Sequence, residues 1–357
     1  MRFAFLLHDH TRRIVTMKCV PVQDAIGMVL CHDITEIVPG KFKGASFKKG
    51  HVIAADDVSK LLTLGKEHIY IWELDHNHYH EDEAAIKIAN AIAGNGICLT
   101  APSEGKVILR AETDGLLRIN VNALYNMNSI DEIAIASLQT HQIVAKNQII
   151  AGCRVVPLII DSKKIDRVEK IAAFMAPVFE IVPFQQKKFG IVTTGSEVFH
   201  GRIQDKFGPV VKAKVEQYGS EVLRQVIVDD KPQMIADAIM ALIDDGAEII
   251  VTTGGMSVDP DDVTPTGIKM TGGSVVTYGA PVLPGSMFML AHINDVPVMG
   301  LPGCVMYHRT TIFDLVLPRI LAGETVTKKD IAAFGHGGLC LQCETCVYPN
   351  CGFGKGY

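Results

Sequence analysis

No apolar run in the 357-residue chain approaches the ~20 residues that a membrane-crossing helix needs; even 155–160 and 247–251 end within a strand's length. No long basic stretch is present, and the charge sum of 34 Lys+Arg against 39 Asp+Glu gives −5, which argues against a nucleic-acid partner. Low-complexity tracts are also missing: hydrophobic residues make up 48%, and 16 Pro and 32 Gly are spread along the length, as in folded globular chains. An export signal is lacking too, because the apolar run 3–7 stops at His8-Asp9-His10. The sequence therefore predicts a cytoplasmic protein without a membrane segment, with translation beginning at Met17 and residues 1–16 forming a disordered extension.

The nine cysteines do not form a disulfide framework. Cys19, Cys31, Cys98, Cys153 and Cys304 are scattered, while four others crowd into 340–351, and clustered thiols in a reducing compartment are metal ligands more often than bridges.

Residues 17–96 read as an α+β region. Strands are expected near 27–30, 52–53 and 68–72, with helices at 56–64, capped by Asp56 or Asp57, and 82–93, with Ile86, Ala89 and Ala93 on one face. Residues 97–184 read as β-rich, from short β-branched runs at 106–111, 116–121, 142–145 and 154–160. From 185 to 325 strand and helix alternate: strands at 189–193, 221–228, 248–252, 275–278 and 296–299, and helices at 207–218, from Asp229-Asp230 to Gly246, and 305–321. Such βαβ alternation predicts a doubly wound, mostly parallel sheet, whose ligands bind beyond the carboxyl ends of its strands. Residues 326–357 form a Cys-rich tail.

Every expected carboxyl-end loop in 185–325 carries Gly, hydroxyl or Asp residues. They are Thr194-Gly195-Ser196-Glu197; Asp229-Asp230; Gly254-Gly255-Met256-Ser257-Val258-Asp259-Pro260-Asp261-Asp262; Pro284-Gly285-Ser286; and Leu301-Pro302-Gly303. Glycine lets a phosphate approach backbone N–H groups, and hydroxyls add donors. Asp259, Asp261 and Asp262 would repel that phosphate without a cation between them, which points to Mg²⁺.

In the order and spacing of these motifs, residues 189–322 resemble the molybdopterin-binding domain shared by molybdopterin adenylyltransferase, molybdenum insertase, gephyrin and the competence-damage-inducible proteins. The carrying residues are Thr194-Gly195-Ser196-Glu197-Val198, Thr252-Thr253-Gly254-Gly255, Asp262-Val263-Thr264-Pro265, Pro284-Gly285 and Leu301-Pro302-Gly303. The resemblance implies binding of the pterin dithiolene phosphate and a nucleotide. Thr194, Gly195, Ser196, Glu197, Gly254, Gly255, Met256, Ser257, Asp259, Pro284, Gly285, Leu301, Pro302 and Gly303 would contact the ligand, and Asp229 and Asp262 would be catalytic through Mg²⁺. Domain order leans toward the insertase branch, which implies adenylated molybdopterin and molybdate as substrates, AMP as product, a homo-oligomer, and a molybdoenzyme as recipient. Two other readings are a non-catalytic molybdopterin carrier or sensor, and adenylyl transfer itself.

Several residues depart from the insertase pattern. Its Gly-Asp is Asp259-Pro260 here, its Pro-Gly-Lys is Pro284-Gly285-Ser286, and its Asn after Leu-Pro-Gly is Cys304, so binding is better supported than insertion. The tail holds His336 and a C-x2-C-x2-C-x4-C run, Cys340, Cys343, Cys346 and Cys351, whose short spacers let successive sulfurs turn inward around zinc or an iron–sulfur cluster. Alternate histidines in His76-Asn77-His78-Tyr79-His80 could hold a metal, or could form a solvated link feeding a helix N-terminus.

Overall fold

The computed structural model describes residues 15–38, 42–74 and 77–356. Among these residues no helix is long and apolar enough to cross a membrane. The chain divides into two units: 1–112, 119–138 and 147–180 form the first, and 113–118, 139–146 and 181–357 the second. The stretch read as one β-rich region is thus shared between them.

In the first unit, strands Val15–Pro21 and His68–Leu74 pair antiparallel, beside the hairpin Ile34–Val38/Phe42–Phe47 and the helix Asp57–Thr63. Leu30, Ile53, Leu61 and Ile69 form their core. Val15 and Thr16, expected in a disordered extension, are the first residues of the opening strand, whose β-branched run extends the ladder. Residues 1–14 lie outside the described residues.

A second layer sets a four-stranded antiparallel sheet against the helix Glu81–Ile92, on which the helix Ser162–Phe174 packs in turn. The helix Glu81–Ile92 turns Ala84, Ala85, Ile88, Ala89 and Ile92 inward and leaves Ile86 39% exposed, so of the three residues expected on one face Ala89 is buried and Ile86 is not. The 97–184 stretch also contains two helices that the sequence reading did not anticipate, Val121–Asn128 and Ser162–Phe174. Side-chain caps start both: Asn120 accepts from the Ala123 N–H and Asp161 from the Lys163 N–H.

His78 and His80 lie in a short strand paired with Ile159–Asp161, and His76 lies outside the described residues. His80, 4% exposed, caps the helix Glu81–Ile92. Its Nδ1 accepts from the Asp82 N–H (3.2 Å) and from Lys49 Nζ (3.0 Å), and its Nε2–H donates to the Cys31 carbonyl (2.9 Å). This is a capping role rather than a solvated link, and it ties down Lys49, which also pairs with Asp82. Burial, with Lys49 adding to it, lowers the His80 pKa from 6.5 to about 4. Because the folded value is the depressed one, the stabilisation is complete above pH 6.5 and is lost as pH falls toward 4. Urea midpoints should therefore drop by the equivalent of roughly 2–3 kcal/mol across that window. His80→Gln should flatten the dependence, and an unchanged slope in that variant would refute the assignment.

The second unit is built on six strands: β1 (Lys188–Thr194), β2 (Glu221–Val228), β3 (Ile249–Thr253), β4 (Ser274–Tyr278), β5 (Met289–Ile293) and β6 (Val296–Leu301). Their order is β2-β1-β3-β6-β5-β4, with β2, β1, β3 and β6 running parallel to one another and β5 antiparallel to both β6 and β4. Helices α1 (Phe207–Glu216), α2 (Pro232–Asp244), α3 (Thr264–Met270), α4 (Ile312–Leu321) and α5 (Lys328–Ala333) connect and follow them.

Alternate residues along each strand face opposite layers. Ile191, Val251 and Met299 join Phe207, Val211, Phe313 and Val316 on one side. Val192, Ile250 and Val298 join Ile235, Ile239 and Ile268 on the other. Both faces are covered, as a doubly wound sheet requires. The last expected helix, 305–321, is instead a 3-10 turn (Gly303–Met306) followed by α4, because Thr311 and Asp314 form a capping box that begins a new helix.

Candidate functional site

Strand register decides which loops meet. Thr194 pairs with Val228, Thr193 with Thr253, and Thr253 with Leu301, so β1, β2, β3 and β6 end side by side. Tyr278 pairs with Met289 and Met289 with Gly300, which brings the end of β4 to the same edge. All five loops expected from the sequence, at 194–198, 229–231, 254–263, 279–288 and 302–306, therefore open at one edge of one sheet.

The first and third loops touch closely. A Cβ on Gly254, whose φ is +88°, would collide with the Thr194 carbonyl oxygen. Thr194 Oγ1 lies 3.1 Å from Thr264 Oγ1, and the Thr264 N–H donates to Gly255 O at 3.1 Å, so the start of α3 is tied to both loops. Beneath them, buried Thr253 donates to Thr193 Oγ1 (3.2 Å), which also accepts from Gln225 (2.8 Å). These bonds give the strand ends a hydroxyl-rich but internally satisfied floor.

The two aspartates after β2 differ in role. Asp229 Oδ2 pairs with Lys231 Nζ at 2.9 Å, and that hydrogen bond holds its pKa below the usual carboxylate range. Asp230 Oδ2 accepts from the Ser196 N–H at 2.7 Å, and burial raises its pKa, with the charges of Glu197 and Asp229 acting in the same direction. The Ser196 N–H is thus held by Asp230, and the Ser196 hydroxyl is the donor left to a ligand. Asp230 was not singled out in the sequence; adjacent aspartates at a strand end look alike until the turn aims one of them at the neighbouring loop.

In the third loop, Ser257, Asp259 and Asp261 are exposed and Asp262 is half-buried. Asp262 Oδ2 accepts from the Asp259 N–H at 3.1 Å, turning the loop back on itself. Met256 is 3% exposed, and a Cβ on Gly300 would meet its Cε at 2.7 Å. Met256 is therefore a core residue under the end of β6 rather than a ligand contact, and Leu301, fully buried, is likewise core.

Gly285, at φ +134°, lies against α4: a Cβ there would meet Ile312 Cγ2 at 2.6 Å. Gly303 is exposed at the start of its 3-10 turn, and burial raises the neighbouring Cys304 thiol above its ordinary pKa.

The tail joins this edge from the side. The Leu283 N–H donates to Gly338 O and the Cys340 N–H to Leu283 O, both at 2.8 Å, just before Pro284-Gly285. Cys340, Cys346 and Cys351 are half-buried and Cys343 is exposed. Thr310 Oγ1 lies 3.5 Å from Cys346 Sγ, and that hydrogen bond lowers the Cys346 pKa. All four thiols line one cavity of about 440 Å³ together with Arg309 and Thr310. Among the described residues, no three His, Cys, Asp or Glu side chains are gathered as a single ion requires, either here or around Asp229 and Asp262.

Residues 190–322 match the family described as "Probable molybdopterin binding domain". This segment, over a third of the chain, is similar to that family. Residues 19–73 match a domain of unknown function. A CinA-like protein of Mycobacterium avium (strain 104) is 40% identical to the chain over 75 residues, which cover 21% of this chain and 17% of that protein. A CinA-like protein of Mycobacterium tuberculosis (strain H37Ra) is 37% identical over a stretch of the same length and coverage. The match therefore spans about a sixth of these relatives. Among solved structures, the molybdopterin biosynthesis enzyme MoaB of Thermus thermophilus shares 20% identity, covering 39% of this chain and 98% of that one at a TM-score of 0.32. The tungsten cofactor synthesizing protein MoaB of Pyrococcus furiosus shares 24% identity, covering 34% of this chain and 84% of that one at a TM-score of 0.29. In this segment, Gly254, Gly255 and Thr194 draw two loops together, while Met256 and Leu301 support them from the core.

Proposed function

We propose that the chain acts in molybdenum cofactor biosynthesis as an insertase-type transferase. It binds adenylated molybdopterin at the carboxyl edge of the sheet, accepts molybdate and releases AMP. The observation that supports this most is the opening of five Gly- and hydroxyl-bearing loops at a single sheet edge, set by strand register. The Ser196 and Ser257 hydroxyls and the glycine backbone of the third loop would contact phosphate, and Glu197 would orient the ligand. The carboxylates of Asp262 and Asp229 suit a hard cation. Mg²⁺ is commonly held by one or two carboxylates plus substrate phosphate and water, so a preformed cage of three side chains is not required.

The expected result is molybdate- and Mg²⁺-dependent AMP release from adenylated molybdopterin. Asp262→Ala and chelation of Mg²⁺ should each reduce it at least ~10-fold, the loss of about 1.4 kcal/mol of charge stabilisation. ATP consumption with molybdopterin as acceptor would instead indicate adenylyl transfer. A second reading is favoured by the Asp229–Lys231 pair, which occupies one of the two carboxylates, and by Ser286, which replaces a lysine of the insertase pattern. It is a non-catalytic molybdopterin carrier, and tight pterin binding without any turnover would select it.

A further inference from the structure

The four tail thiols have no part in that reading. Cys340, Cys343, Cys346 and Cys351 come from a segment without helix or strand, yet all four residues line the same cavity of about 440 Å³. The segment is anchored at both ends. At its start, Gly338 O accepts from the Leu283 N–H and the Cys340 N–H donates to Leu283 O, in the loop before Pro284. At its end, Phe353 is 4% exposed in the core of the sheet layer, Tyr348 donates to the Asp314 carbonyl at 3.0 Å, and Lys355 Nζ donates to Gln142 Oε1 at 2.8 Å. Such a segment holds a shape of its own around the cavity.

The geometry points to a [4Fe–4S] cluster in this cavity, with each of the four thiolates on a different iron. A lone zinc ion requires its sulfurs at about 2.3 Å from one point. Among the described residues no group of three such side chains that could hold a single ion is found. Four thiols spread around a space many times the ~30 Å³ share of one water molecule fit a cluster that carries its own sulfides and spaces its ligands apart. Arg309, lining the same cavity, places a cation beside a cluster that is anionic once four thiolates are bound. Loading is ligand exchange: a preformed cluster carried by small thiolates gives up those four ligands, the four cysteine thiols bind the irons, and their four protons pass to the released thiolates. No electron is transferred.

The test is anaerobic reconstitution of the full chain with iron and sulfide, followed by desalting, iron, sulfide and zinc analysis, and visible absorption and electron paramagnetic resonance after reduction. The expected result is about four iron and four acid-labile sulfide per chain with a broad sulfide-to-iron band. In Cys343→Ser/Cys346→Ser that content should fall at least several-fold, while Cys19→Ser, in the first strand, should keep it. Cys343 is exposed, so thermal unfolding of the single Cys343→Ser variant separates loss of the cluster from loss of the fold. One zinc per chain without sulfide, two irons with two sulfides, no retained metal, or full content in the double variant would each overturn the assignment.

Discussion

Gly254→Ala is expected to cost about 3 kcal/mol of folding stability and to weaken pterin binding more than ~10-fold. Two effects add. The residue sits at φ +88°, which a side chain resists, and its Cβ would overlap the Thr194 carbonyl oxygen, a rigid backbone atom. Gly272→Ala separates them, since that glycine has φ +78° and nothing within 4 Å of a Cβ, so it should show the conformational cost alone, about 1 kcal/mol. Urea unfolding of both variants, with molybdopterin binding measured on each, makes the comparison. Equal losses in the two would mean that the contact between the first and third loops is unimportant.

Arg319→Met is expected to destabilise the chain by roughly 3–5 kcal/mol, because removing one member of a buried charge network strands the others. Arg319 is 6% exposed and donates to Glu324 at 2.6 Å and to Asp330 at 2.9 Å. Glu324 also faces Arg118 Nε at 3.3 Å and His141 Nε2 at 3.5 Å. Burial alone would raise the Glu324 pKa, but hydrogen bonds from His141 and Arg319 win and hold it at about 2. A depressed acid contributes stability above its unfolded value of 4.5 that is lost as pH falls toward 2. The Arg319→Met deficit should therefore shrink over that window. Adding Glu324→Gln and Asp330→Asn should recover much of it at pH 7, and a triple variant no better than the single one would contradict the network.

The parallel sheet was largely legible in the sequence. Its strands are apolar runs closed by Gly or Asp, and Pro232 marks the first turn of α2, so β1, β2, β3 and their parallel pairing followed from pattern alone. Strand β5 was missed because Met-Leu-Ala-His-Ile neither alternates nor carries many β-branched residues; β6 pairing and burial on both faces make it a strand. Helix α3 was absorbed into the Asp-Val-Thr-Pro motif, although Pro265 in the first turn is also a helix-start signal. Among site residues, the edge location of the loops was readable from strand ends. Whether Asp229 or Asp230 faces Ser196, and whether Met256 points into a ligand or into the core, depends on turn geometry that spacing does not encode.

The threading of the chain has a practical consequence. Residues 113–118 and 139–146, more than forty positions before β1, belong to the unit that contains the family-matched segment 190–322. They supply Arg118 and His141 to Glu324, and Gln142 to Asn350 and Lys355 near the end of the chain. A truncation that starts at residue 185 would retain every sequence motif of the segment and yet be a different object, with Glu324 short of its Arg118 and His141 partners and the cysteine segment cut from one of its anchors. Homology boundaries and physical boundaries do not coincide here, and the smaller autonomous piece has to be sought by limited proteolysis rather than by alignment.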